Sequence, residues 1–383
     1  MPRQISVLVR DLQSLPGWEF RKSNRMKKAV HQFHTHVFHR DAIGSNTMAL
    51  QEGLIKLGFY SHLFCQSRAD ELSDRTLLFK HYSQFSSPDN VLIIHYCFKT
   101  TILDGLLSLP DRKILLYHNI TPAKFFEKFS PRSGAEVRQA REDMKKLVGK
   151  VELVVGDSEF NLRELQEMGF DNGAVIPILT SPERSNPPPD PETVQKLKKG
   201  NRVNWLFVGR IAPNKKQEDL IKIFYYYHKY INPESRLILV GNPEGMEFYF
   251  QYLQKFVSYL GLRKSVVFTG SVSQSVLAAY YSVADLFVVM SEHEGFCVPV
   301  LEAMEAGIPI LSYDSSALGE TLGGCGVLVK EKKFPQISEL AHYILQDREF
   351  RENLVDKQSK RLQEFSPEKT LKKWQEHLDP FFS

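Results

Sequence analysis

The residues of this chain that could do chemistry concentrate in "SEHEGFCVPVLEAMEAGIPIL" (291–311). Two glutamates, Glu294 and Glu302, stand eight residues apart with a Gly-Phe-Cys-Val-Pro step between them. Pro299 suits a first helical turn, and Gly307 followed by Pro309 closes the helix. Glu302 therefore sits about one turn into a helix whose amino end offers N–H groups from Gly295 to Val298. Such an end attracts phosphate or sugar oxygens, and a carboxylate on the helix can accept from vicinal hydroxyls. Spacing alone does not decide the matter, because Glu159/Glu167, Glu331/Glu339 and Glu368/Glu376 share it. A solvated helix with ordinary surface acids is the plain alternative.

A second constellation is "FVGRIAPNKKQEDLI" (207–221). A strand ends at Gly209, and Arg210 and Lys215 follow before the next helix. In an open parallel sheet, ligands bind outside the carboxyl ends of the strands. Two cations there can hold a diphosphate and stabilise its charge as it leaves, without a metal. The competing reading is a solvated basic loop, and Lys216 is the weaker candidate. His118 closes "KILLYH" ahead of an Asn-Ile-Thr-Pro turn that would keep it at the rim of a cleft, where it could meet a sugar hydroxyl. His95 closes "VLIIHY" in the same way. "DAIGSN" (41–46) opens a helix, with Gly44 easing the turn or forming part of a plain cap. No D-x-D lies at a strand end, so no divalent-metal site and no metal cofactor is expected.

These residues need a scaffold of strands followed by helices, and the sequence supplies one. Apolar strands alternate with amphipathic stretches almost throughout, the pattern of α/β layers with parallel sheets. "VLIIHY" (91–96), "KILLYH" (113–118) and "VELVVGDS" (151–158) read as strands of a first half. "NWLFVG" (204–209), "RLILVG" (236–241), "SVVFTG" (265–270), "ADLFVVMS" (284–291) and "IPILSYD" (308–314) read as strands of a second. A helix is predicted from about Thr47 to a Gly58 cap. "TSPERSNPPPDPETVQKLKKG" (180–200) carries three consecutive prolines and reads as a linker. The predicted layout is an amino-terminal domain over 1–183, a linker over 184–200, a carboxyl-terminal domain over 201–363, and a helix over 364–383. That last helix has Ser366 as N-cap and Pro367 at N1.

Composition narrows the class. At 383 residues the chain exceeds the usual size of a single core. Its 49 basic and 45 acidic residues give a net charge of +4, too balanced for nucleic acid to be the main partner. No apolar run reaches the roughly 18 residues of a membrane span. Cys65, Cys97, Cys297 and Cys325 lie far apart without C-x-x-C and read as reduced thiols of a cytoplasmic protein. Residues 1–25 fit no α/β unit and read as an extension, or as sequence ahead of a start at Met26. "PGWEFRKSNRMKKAVHQF" (16–33) puts Arg21, Lys22, Arg25, Lys27 and Lys28 beside Trp18 and Phe20, a composition suited to peripheral contact with an anionic membrane.

Taken together, "FVGRIAPNKKQEDLI", "RLILVGNPEG", "VVFTGSVSQSVLAAYYSVADLFVVMSEHEGFCVPVLEAMEAGIPIL" and "GETLGGCGVLV" resemble a known family. It is that of retaining glycosyltransferases of the GT-B fold, family 4 type (glycosyl transferases group 1). Residues 204–330 carry the resemblance closely. The first half is looser, through "HRDAIGSNTMALQEGLIKLGF", "LLYHNITP" and "VVGDSEFN", and is similar to bacterial members that build lipopolysaccharide or other surface glycans.

The resemblance implies two Rossmann-like domains facing a cleft, with the last helix packing back on the first domain. Arg210 and Lys215 match the cations on the donor diphosphate. Glu302 matches the carboxylate on the ribose hydroxyls, and Glu294 the one near the donor sugar with the amides of Gly295, Phe296 and Cys297. His118 matches the histidine near the reacting sugar, and Gly270 to Gln274, including Val272, the segment beside the base. Cys297 stands where many members have glycine. Gly44 is one glycine where many have two, and Ser273 and Gln274 stand where some guanine-nucleotide users have an acid. The implied partners are a nucleoside diphosphate sugar and a glycan or lipid-linked acceptor. The implied reaction is hexosyl transfer, mannosyl favoured, with retention by front-face attack. Rival readings are an epimerase or phosphorylase on the same fold and a catalytically silent binding module.

Overall fold

The structure, a computed structural model, describes residues 28–37, 42–179 and 187–383. The basic and aromatic residues from Trp18 to Lys27, and Asp41, lie outside them.

Two parallel sheets organise the chain. The first holds β1 (Val30–Val37), β2 (Leu63–Arg68), β3 (Leu77–Leu78), β4 (Val91–Tyr96), β5 (Arg112–Tyr117), β6 (Leu153–Gly156) and β7 (Gly173–Val175), in the order β3-β2-β1-β4-β5-β6-β7. The second holds β8 (Val203–Val208), β9 (Ser235–Val240), β10 (Val266–Gly270), β11 (Leu286–Val289), β12 (Ile310–Tyr313) and β13 (Val327–Val329), ordered β10-β9-β8-β11-β12-β13. Strand order reverses between β1 and β4 and between β8 and β11. At those points the connections leave in opposite directions and open a crevice at the carboxyl ends.

Period-2 alternation explains why the strands are apolar on both faces. Trp205 and Phe207 pack with Phe224 and Tyr227 on one side of the second sheet, while Leu206 packs with Phe287, Val300 and Leu301 on the other. In the first sheet Ile94 and Leu115 face Phe33 and Tyr82, whereas Ile93 and Ile114 face Leu50 and Leu54. The last helix, Pro367–Leu378, is capped by Ser366, whose hydroxyl accepts from the Lys369 N–H. It returns to the first sheet, where Trp374 and Leu378 join Val30, Leu50 and Phe59.

Two segments differ from the sequence reading. The first helix runs Ala42–Lys56, so residues 42–46 form its opening turns instead of a loop ahead of Thr47, and the Gly44 carbonyl accepts from the Thr47 hydroxyl at 2.6 Å. It ends as read, with Gly58 in the left-handed region at φ 92°. The stretch read as linker contains a helix, Pro191–Lys198, capped by Asp190, whose carboxylate accepts from the Thr193 N–H at 2.8 Å. Its cap is tied to the second domain, the Asp190 N–H donating to the Ser275 carbonyl at 2.9 Å. The prolines precede the helix and Pro191 occupies its first turn, where a missing N–H costs nothing.

Candidate active site

The β8–β11 reversal places two loops side by side. After β8 the chain passes Gly209 and Arg210, makes a short turn at Pro213–Lys215, and enters the helix Gln217–Tyr230. After β11 it passes Glu294 and enters the helix Val298–Glu305. The loops are stitched together: the Glu292 N–H donates to the Asn214 carbonyl at 2.8 Å, and the Asn214 amide donates to the His293 carbonyl at 3.0 Å.

Lys215 and Glu294 meet there. The Lys215 ammonium donates to Glu294 Oε2 at 2.5 Å, with the side chains 21% and 6% exposed. Burial pulls the Lys215 pKa down, but Glu294, Cys297 and the hydrogen bond outweigh it and leave the pKa raised, so the amine stays charged. Glu294 Oε1 is buried without a hydrogen-bond partner among the described residues. A buried carboxylate oxygen left unpaired is costly, and such sites are commonly where a ligand binds.

Arg210 is placed differently. Its guanidinium donates to the Glu244 carbonyl at 3.1 Å and lies exposed against an open cavity of about 660 Å³ between the domains, which Ser130, Arg132 and Glu247 also line. Its positive charge opposes that of Lys215, so the two cations share one neighbourhood.

Glu302 accepts from the Tyr281 hydroxyl at 2.6 Å. Tyr281 is buried in the helix Gln274–Val283, and burial followed by the Glu302 charge holds its phenol well above the ordinary value. Tyr281 thus fixes one carboxylate oxygen of Glu302. The sequence reading missed Tyr281, although it lies inside a stretch quoted for the family resemblance. Gly270 ends β10 at φ 68°, Val272 packs against the second core, and exposed Gln274 begins the helix that Ser273 caps.

Gly295, Phe296 and Cys297 each have a separate physical reason. A Cβ on Gly295 would stand 2.5 Å from the Asn119 Cβ and 3.2 Å from the His118 carbonyl, both in the first domain, so only glycine allows this approach. The Gly295 carbonyl accepts from the Ser158 hydroxyl across the domain boundary at 2.7 Å. Phe296 is a core residue set edge-on against Phe365. Cys297 is the N-cap of the following helix at φ 76°, a left-handed conformation unusual for a side chain. Burial and then Glu294 push its thiol pKa up, so it is no ready nucleophile.

His118 is not at a rim. Its ring is buried with both nitrogens engaged: Nδ1 lies 2.8 Å from Asp157 Oδ2 and Nε2 lies 2.9 Å from His95 Nδ1. The two histidines weighed as alternatives are therefore bonded to each other. Asn119 and His293 are further residues that sequence reasoning missed. The Asn119 amide donates to Asn161 at 2.9 Å and to Glu164 at 2.8 Å, which leaves its oxygen to accept from His293 Nε2 at 2.7 Å. Burial, then Arg141, Lys215 and Lys124, push the His293 pKa down to about 4, so the ring is neutral at pH 7. Among the described residues no group of three or more His, Cys, Asp or Glu side chains is placed to hold a metal, and no helix is long and apolar enough to cross a membrane.

Comparison with known proteins follows the same division of the chain. The family "Glycosyl transferases group 1" matches residues 190–361. The GDP-mannose-dependent alpha-(1-6)-phosphatidylinositol monomannoside mannosyltransferase of Mycobacterium tuberculosis is 26% identical over 174 residues, 42% of this chain and 44% of that protein. The match thus spans less than half of that relative. Sucrose-phosphate synthase of Thermosynechococcus elongatus superposes with a TM-score of 0.73 at 16% identity, over 93% of this chain and 99% of its own. HepE of Anabaena, solved in complex with UDP and glucose, does so with a TM-score of 0.69 at 17% identity, over 92% and 100%. At those identities the two structures attest the fold.

Proposed function

We propose, from the match of residues 190–361 to the glycosyl transferases group 1 and from the two-sheet GT-B fold, that the chain is a member of that family and transfers a hexosyl group from a nucleoside diphosphate sugar to a glycan or lipid-linked acceptor. The observation that carries this reading is the buried Lys215–Glu294 pair at the β8–β11 reversal, with one Glu294 oxygen unpaired. In this reading that oxygen accepts from a hydroxyl of the donor sugar. Lys215 and Arg210 hold the diphosphate, and Glu302, steadied by Tyr281, accepts from the ribose hydroxyls. Gly44 and Gly270 to Gln274 flank the phosphates and the base.

As the glycosidic bond breaks, negative charge builds on the leaving diphosphate. Lys215 is preorganised to meet it in a site where burial makes the contact count. The departing phosphate oxygen takes the acceptor's proton on the same face, so configuration is retained. No metal has a role in this scheme. The Mycobacterium tuberculosis relative, by its name a GDP-mannose user, supports a mannosyl donor, and the surface-glycan look of the first half supports a lipid-linked acceptor at the inner membrane face.

A thermal-shift comparison of GDP-, UDP-, ADP- and dTDP-sugars tests the reading, because a ligand that binds only the native state raises its apparent stability. One sugar nucleotide, GDP-mannose first among them, should raise Tm in the presence of EDTA. Transfer that stops with EDTA and returns with manganese would contradict the metal-free scheme. No shift from any of the four would contradict the reading itself.

A further inference from the structure

Beneath the cleft, four neighbouring strands of the first sheet carry a polar side chain on the same face, three of them at or just past the strand's carboxyl end and the fourth at the third residue of β1. Gln32 of β1, His95 of β4, His118 just after β5 and Asp157 just after β6 follow the parity of Val30, Ile93, Leu116 and Val155, which share one core. They form one chain: Gln32 Oε1 lies 2.8 Å from His95 Nε2, His95 Nδ1 lies 2.9 Å from His118 Nε2, and His118 Nδ1 lies 2.8 Å from Asp157 Oδ2. All four side chains are buried.

We propose that Gln32 and His95 are positioning residues that lock the His118 ring with its proton on Nδ1, so that Nε2 is a hydrogen-bond acceptor. The inference rests on the reading of His118 as a neighbour of the donor sugar. It adds that His118 meets that sugar as an acceptor from a hydroxyl and turns away a phosphate oxygen.

Proton counting leads there. The Asp157 carboxylate accepts only, which puts a proton on His118 Nδ1. Burial, with His118 and His34 alongside, holds the His95 pKa well below its ordinary value, so His95 carries a single ring proton. Two arrangements remain, and the Gln32 amide selects between them. With its oxygen toward His95, His95 must donate from Nε2, and His118 would then need protons on both nitrogens. That orientation leaves Gln32 Nε2 buried without a partner among the described residues. Turned about, the amide nitrogen donates to His95 Nε2, His95 donates from Nδ1 to His118 Nε2, and the buried donor is satisfied. Oxygen and nitrogen of an amide are assigned from such networks, and an unpaired buried donor is the costlier defect. Because the His118 ring is buried, a sugar hydroxyl reaches Nε2 only by displacing the His95 donor, and it finds the same acceptor there.

Histidine ¹⁵N–¹H long-range spectra of the full chain at pH 7 test this, with His118→Gln used to assign the ring. Wild-type protein is expected to show His118 protonated on Nδ1 and unprotonated on Nε2. Gln32→Glu puts a carboxylate against His95 Nε2, which forces His95 to accept at Nδ1, so His118 should become doubly protonated. The apparent KM for the sugar nucleotide should then rise about tenfold, with binding of the nucleoside diphosphate alone unchanged. A wild-type ring protonated on Nε2, or a folded Gln32→Glu with the wild-type spectrum, overturns the proposal. The spectra need no ligand, so they stand or fall apart from the proposed function. The expected spectra with an unchanged KM would confirm the lock and remove His118 from the donor sugar.

Discussion

Lys215 donates to Glu294 across 2.5 Å, so neither can be replaced alone without stranding the other in a buried place. Position in a loop suggests that Lys215→Ala should leave the fold intact, yet its partner is almost wholly buried. We expect that variant to lose about 1–3 kcal/mol in urea unfolding, and kcat/KM to fall about 10²-fold. The double change Lys215→Met with Glu294→Gln should recover much of the stability and none of the activity. Equal stability of Lys215→Ala and wild type would mean that the pair is a surface contact. Cys297 gives a second expectation at this scale. Its φ of 76° penalises any Cβ, so Cys297→Gly should be more stable than Cys297→Ala by about 1 kcal/mol. The alanine variant proving the more stable would show that the backbone relaxes there.

Among the elements, the last helix has the least obvious role and a clear energetic one. Trp374 is 2% exposed and belongs to the first domain's core although it is carried in from the chain's far end. Trp374→Ala should cost about 3–5 kcal/mol, read as a lower urea midpoint for the first domain. An unchanged midpoint would mean that the helix is only laid against the surface. This helix was legible because Ser366-Pro367 is a cap signal ahead of a periodic run. Asp190-Pro191 is the same signal, but the neighbouring prolines masked it. Long apolar strands were legible for the same reason that they are central: both faces are covered, so they read as continuous runs. β2 was not, because its LFCQSR run turns polar after Cys65, and neither were β3, β7 and β13, sheet-edge strands of two or three residues. Lys215 and Glu294 could be read as strand-end residues on adjoining loops. Asp157 and His293 could not, because their partners His118 and Asn119 lie 39 and 174 residues away. The alternation that puts Gln32, His95, His118 and Asp157 on one face was available in the sequence and emerges once strand order is known.

At the scale of the molecule, the two domains meet where Gly295 leaves no room for a side chain. Gly295→Ala would press a methyl group into Asn119 Cβ and the His118 carbonyl. It should part the domains while leaving each core intact: a larger radius of gyration by X-ray scattering, unchanged melting, and turnover reduced at least tenfold. Unchanged scattering would mean that the approach is looser than it stands. The central claim is that the crevice at the β8–β11 reversal binds a nucleoside diphosphate sugar, with Glu302 on its ribose. Calorimetric titration of the free nucleoside diphosphate into wild type and Glu302→Gln tests this most directly. The amide keeps one acceptor but loses the charge-assisted contact, so affinity should fall about tenfold while the fold persists. Equal affinity of the two proteins, or no binding to the wild type, would contradict it.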